Sequence, residues 1–245
     1  MKTRLIIMDI LTFACIQLYA EENKVNDSEN EYIENLTIYS GALSTSIFNS
    51  QEQFWRHSNI MKTLFGYTEN TGFSASYQFT NWVSADAMII PLEDDDKINY
   101  MFGVTFSPIE GLQLRLYGGL NNNDVEKINS YNMAAFLGYK CQEFAIGAEL
   151  NHTLNSSYNV GNDFYGYSLF ASVKMAEFAD FYARFDDIYS KNNWNIFSDQ
   201  QSAVLGLRFY LNEKIMLTPN FKIIIPKAQG LNRSYFGYIN CSINL

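Results

Sequence analysis

From about residue 36 onward this chain alternates in polarity at every second residue, in one segment of roughly ten residues after another. That period belongs to strands and not to helices. In 201–211, Ala203, Leu205, Leu207, Phe209 and Leu211 alternate with Ser202, Val204, Gly206, Arg208 and Tyr210. In 177–188, Ala179, Phe181, Ala183 and Phe185 oppose Asp180, Tyr182, Arg184 and Asp186, and 97–107 and 214–225 repeat the scheme. With the weaker segment 36–48 and those at 71–80, 82–90, 111–121, 130–140, 143–152, 163–174 and 234–245, the pattern predicts twelve strands. The connections sort into two alternating kinds. Short turns fall at 80–81, 108–110, 140–142, 175–176 and 212–213, and longer polar loops at 49–70, 91–96, 122–129, 153–162, 189–200 and 226–233. This is the grammar of an up-and-down antiparallel meander with tight hairpins at one end, and an even strand count brings both termini to that end.

The next question is which solvent the apolar face meets. The chain is 47% hydrophobic and 16% aromatic, yet no window of 18 apolar residues follows the first twenty positions, which excludes a helical membrane bundle. The polar face carries small and charged residues, among them Gly72, Ser74, Ser76, Gly103, Gly119, Gly138 and Gly147, which suits a crowded, wet interior. The other face is an almost unbroken band of Leu, Ile, Val, Phe and Tyr, which suits lipid. Aromatics gather toward strand ends, with Phe79, Trp82, Phe106, Phe144 and Phe178 near the short turns and Phe73, Tyr100, Tyr131, Tyr165 and Tyr235 toward the loops, as two interfacial girdles would. A ten-residue strand tilted about 40° spans roughly 25 Å, the height of an outer-membrane apolar band. An open edge in hydrocarbon is costly, so such a sheet is expected to close into a barrel. Pro219 lacks a ladder donor and is expected at a bulge or near the rim.

The N-terminus reads as an export signal. Lys2 and Arg4 precede an apolar run that finishes Leu18-Tyr19-Ala20 before Glu21-Glu22, so 1–20 is expected to be removed, with lipidation at Cys15 the alternative. Residues 21–35 read as an acidic periplasmic lead-in, and 36–245 as the barrel. A sequence pI near 4.7 supplies no basic face for nucleic acid. Three cysteines make no disulfide scaffold, and no bridge is expected between Cys141 and Cys241.

On these residues the chain resembles bacterial outer-membrane β-barrel proteins. Its end, Ile239-Asn240-Cys241-Ser242-Ile243-Asn244-Leu245, is similar to the signal such proteins present to the barrel-assembly machinery, although that family favours a terminal Phe where this chain has Leu245. Tyr182-Ala183-Arg184-Phe185-Asp186, followed by Gly206-Leu207-Arg208-Phe209-Tyr210-Leu211-Asn212-Glu213-Lys214, resembles a late hairpin of general and phosphate-selective porins. The likeness implies a porin-like barrel in the outer membrane of a diderm bacterium with periplasmic termini, and it transfers no substrate.

The candidate functional residues are the ionisable groups on the polar face, because charges lining a pore set its selectivity. They are Arg115, Arg184, Arg208 and Lys222, against Asp86, Glu149, Asp180 and Asp186. Two roles stay open for them: lining a pore, or pairing across a narrow lumen to hold the wall. Arg184, Arg208 and Lys222 on consecutive strands could form a basic strip favouring small anions. A rim hydrolase would need a histidine beside a hydroxyl or carboxylate. Only His57 and His152 exist, and His152, in Asn151-His152-Thr153-Leu154-Asn155-Ser156-Ser157, lacks the His-x-Ser order. The run Glu93-Asp94-Asp95-Asp96 has no spaced ligands or glycine and reads as solvated rather than as a calcium site. Trp55 and Trp194, in long loops, give no specific spacing. The sequence thus predicts a monomeric outer-membrane channel for passive diffusion of small polar solutes, with lipid and the assembly machinery as partners, no catalytic residues, and neither cofactor nor metal. A plugged barrel acting through its loops is the alternative.

Overall fold

The structure is a computed structural model describing residues 35–44, 65, 69–91, 97–123, 127–212 and 215–243. The export signal, Cys15, the acidic lead-in, Trp55, His57 and the run 93–96 lie outside the described residues. Twelve strands follow in order: β1 (Leu36–Ser44), β2 (Glu69–Thr80), β3 (Val83–Pro91), β4 (Lys97–Phe106), β5 (Leu112–Asn123), β6 (Ser130–Lys140), β7 (Phe144–Leu154), β8 (Phe164–Ala176), β9 (Ala179–Ser190), β10 (Gln200–Tyr210), β11 (Ile215–Pro226) and β12 (Ser234–Ile243). Every strand pairs antiparallel with its neighbours in sequence, in one twelve-stranded sheet of order β1 to β12. This is the up-and-down meander the alternation predicts, with ends displaced by a few residues.

Single-turn 3₁₀ segments at Ser156–Tyr158 and Lys191–Asn193 shape two of the long loops. The register shifts at Gln78/Thr80 and Lys174/Ala176, both beside short turns. Pro219 marks neither bulge nor rim. It pairs in register with Ile239 of β12, while the ladder toward β10 lapses between Gly206–Asn220 and Phe209–Leu217 without changing register. The missing N–H interrupts one ladder and leaves the spacing intact. Cys141 and Cys241 are free thiols.

The two faces are inverted relative to a water-soluble sheet. On β6, Ser130, Asn132, Phe136 and Gly138 are buried while Tyr131, Met133 and Leu137 are exposed. The same inversion puts Leu116, Leu150, Leu169, Leu205 and Phe221 outside, and Glu149, Ser168, Asp186 and Ser202 inside. Burying polar groups beneath exposed leucines would be unstable in water, and it is the arrangement that hydrocarbon outside and a polar interior require. Phe79, Trp82, Phe144 and Phe178 stand exposed at the short-turn end, as a girdle does.

The inner face is also packed with apolar side chains, which its polar composition hid. Toward the loops, Ile90, Met101, Tyr117, Phe164 and Ile188 surround Phe65, a residue of the first long connection. Toward the short turns, Phe136, Ala145, Phe170 and Tyr182 form a second cluster. Inner-face glycines make room for these groups. A Cβ at Gly147 would overlap the Phe170 ring, and one at Gly206 would overlap Tyr182. Among the described residues no ladder joins β12 to β1, and β12 is exposed on both faces.

Candidate functional site: the charged interior wall

Alternation places all eight sequence-predicted residues on the inner face, and the register decides how they meet. Arg115 on β5 reaches across β4 to Asp86 on β3 in a two-pronged pair, Nη1 to Oδ1 at 2.6 Å and Nη2 to Oδ2 at 2.9 Å. Nη1 also donates to Thr105 Oγ1 at 2.9 Å. The planar guanidinium fits a carboxylate in this geometry, and the reach is open because residue 103 beneath it has no side chain.

A second cluster spans β8 to β10. Arg184 and Asp186, two apart on β9, share the inner face and pair at 2.7 Å through Nε and Oδ1. Ser168 of β8 donates to Asp186 Oδ1 at 2.5 Å and accepts from Arg184 Nη2 at 2.7 Å. Ser202 of β10 donates to the other oxygen at 3.2 Å, and the guanidinium lies 5.9 Å from the Phe170 ring centre. Every member of this set is buried. Hydrogen bonds from both flanking strands offset the cost of taking the two charges out of water.

A third cluster sits nearer the short turns. Arg208 pairs with Asp180 at 3.2 Å, and Tyr210 donates to the same Oδ2 at 2.6 Å. These three residues, with Lys174, Ser172 and the turn 140–145, line a recess of about 90 Å³. Glu149 is buried and accepts from Asn151 Nδ2 at 2.5 Å. Lys222 is half-buried on β11, beside Val204 and Phe236. Arg184 and Arg208 therefore each face a carboxylate next to them, and the basic strip is broken into neutral pairs.

His152 points outward, its ring stacked on Tyr165 with centroids 4.2 Å apart. Tyr165 stacks in turn on Tyr189, and the Tyr189 and Tyr167 hydroxyls lie 3.1 Å apart. His152 Nε2 has no hydrogen-bond partner among the described residues. The neighbourhood is that of an interfacial aromatic belt rather than of a general base.

Sequence reasoning missed the locks between long loops. Asp163 accepts from Lys191 Nζ at 3.1 Å, a contact that raises the ammonium's pKa above its usual value through the hydrogen bond first and the charge second. The Asp163 carbonyl accepts from Trp194 Nε1 at 2.9 Å. Asp199 caps Ser190 through both carboxylate oxygens, at 2.7 and 2.9 Å, and its carbonyl accepts from the Lys227 amide. Phe65, inside the barrel, was missed as well; its connection has no periodicity that would assign it a face.

An antiparallel meander with exposed apolar and buried ionic residues defines the class: the fold is that of bacterial outer-membrane β-barrel proteins. The chain is similar to the outer-membrane protein OmpT of Vibrio cholerae, with 13% identity over 85% of this chain and 76% of that one and a TM-score of 0.64. A loop L8 deletion variant of the same protein matches at a TM-score of 0.62 with 13% identity, over 84% of this chain and 74% of that one. OccK11 (OpdR) of Pseudomonas aeruginosa matches at 0.54 with 14% identity, over 84% and 67%. No family profile and no curated protein sequence matches the chain.

Proposed function

We propose that this protein is a narrow outer-membrane channel for passive diffusion of small polar solutes, its short turns and termini on the periplasmic side. The observation that carries the reading is the inverted polarity of the sheet: a leucine-rich outer face with serines, amides and ion pairs inside it. In this reading the three arginine–aspartate pairs brace the wall. Each cancels its own charge; Arg115–Asp86 and Arg208–Asp180 bridge strands, and Arg184–Asp186, both on β9, is tied to β8 and β10 through Ser168 and Ser202. An open recess of about 630 Å³ lies between the turns at Asn81, Ile109–Gly111 and Lys140–Gln142, at the end where this reading puts the periplasmic entrance.

A second reading, a plugged barrel that acts through its loops, is favoured by Phe65, which is 1% exposed among residues of β3, β4, β5, β8 and β9. The ties between the loops at 155–163 and 191–199 favour it too. Planar-bilayer recording of the purified protein separates the two. Discrete openings and swelling of vesicles in small solutes are expected of the channel; silence in both assays supports the plug.

A further inference from the structure

We infer that the recess at the short-turn end of the inner wall binds one small tetrahedral oxyanion of the phosphate or sulfate kind. This goes beyond the channel reading and does not rest on it, because the recess lies at the short-turn end whether the lumen conducts or is plugged.

Strand alternation builds the walls. Lys140, Ser172, Lys174, Asp180, Arg208 and Tyr210 stand at the short-turn ends of β6, β8, β9 and β10, all on the inner face, around a volume of about 90 Å³. The turn that carries Cys141 and Glu143 closes one side. Each of these strands is paired on both flanks, so the recess belongs to the continuous wall and not to a sheet edge.

Its charge is unevenly spent. Asp180 is held by Arg208 Nη1 at 3.2 Å and by the Tyr210 hydroxyl at 2.6 Å, and Arg208 is buried. Lys174 lies opposite Asp180 in register, yet it forms no ion pair among the described residues. The Ser172 hydroxyl has no hydrogen-bond partner among them either. Glu143, the other carboxylate of the lining, stands exposed in the turn, where water screens it. Three cations therefore face two carboxylates, and the excess positive charge sits on the ammonium groups of Lys140 and Lys174.

An oxyanion matches this donor set. Lysine ammoniums on flexible stems bond an anion as point charges, and hydrogen bonds assisted by charge are the strong ones. Four oxygens at tetrahedral corners let Lys140, Lys174 and Ser172 each reach a different one. The volume is that of about three water molecules, which admits a four-oxygen anion and excludes a six-carbon sugar acid. Lipid phosphates do not compete, since the lining faces away from hydrocarbon.

The test uses the full-length protein in detergent micelles, with Cys15 and Cys241 changed to serine so that Cys141 of the lining is the sole thiol. At constant ionic strength, millimolar phosphate or sulfate is expected to slow labelling of Cys141 by an uncharged methanethiosulfonate about fivefold, while chloride and gluconate leave the rate unchanged. Lys140→Met or Lys174→Met should raise the half-protecting phosphate concentration at least about tenfold. Lys174→Arg should keep it within about threefold, since the charge remains, and Lys191→Met at the loop end should not move it. Calorimetric titration of the unaltered protein with phosphate should find one site per chain, lost in the Lys140→Met/Lys174→Met double variant. Neither heat nor protection, protection by gluconate equal to that by phosphate, or phosphate binding undiminished in the double variant overturns the inference.

Discussion

Arg115 lies across Gly103. A Cβ on that glycine would overlap the guanidinium on its way to Asp86, so a residue on β4 with no functional group of its own permits an ion pair between β3 and β5. Gly103→Val should displace Arg115 and leave two largely buried charges apart. A loss of about 3 kcal/mol is expected, read as a lower midpoint for urea unfolding from lipid vesicles. A midpoint unchanged from wild type would mean that the pair does not brace the wall.

The Arg184–Asp186 set predicts non-additivity. Asp186→Leu alone strands a buried guanidinium, and Arg184→Met alone strands a buried carboxylate, each at a cost of about 3 kcal/mol; the double variant, with both charges gone, should recover most of that loss. Additive losses in the same unfolding assay would show that the two side chains do not act as a pair.

Glycines on opposite faces should respond oppositely. A Cβ at Gly118, on the outer face, meets no atom within 4 Å, whereas one at Gly206 overlaps Tyr182. Gly118→Ala should be neutral or stabilising by roughly 0.5 kcal/mol, and Gly206→Ala destabilising by about 1–3 kcal/mol. Comparable effects at the two sites would contradict the facing of the sheet.

Phe65 gives a prediction about passage. Phe65→Ala removes the ring at the centre of the loop-side cluster formed by Ile90, Met101, Tyr117, Phe164 and Ile188. In a channel it should raise single-channel conductance, at a stability cost of about 3–4 kcal/mol. Unaltered conductance in a folded variant would place the constriction elsewhere.

The strands were legible because their signal is local. Ten residues of alternation such as 201–211 declare both element and face without help from the rest of the chain. The inner ionisable residues were legible as a set for the same reason, but their partners were not. Arg115 meets Asp86 two strands away, a match that depends on register at two ladders and on the empty space over Gly103. The apolar packing of the inner face was hidden because Phe136, Phe170, Tyr182 and Ile188 stand singly among polar neighbours. The pairing of small with large across a ladder, Gly147 opposite Phe170, is the signal that could have exposed it. Pro219 was misplaced because a missing donor on one side of a strand does not oblige the strand to bulge when its other ladder holds.

The central claim is that the leucine-rich face meets hydrocarbon and the serine-rich face does not. Spin labels at Leu137, Leu169 and Leu205, and at Ser168 and Ser202, in the protein reconstituted in vesicles test it through collision rates with molecular oxygen, which concentrates in lipid, and with a polar nickel chelate, which does not. The leucine positions should collide readily with oxygen and poorly with nickel, and the serine positions poorly with oxygen. High oxygen collision at the serine positions, with the leucine labels shielded from both probes, would contradict the account.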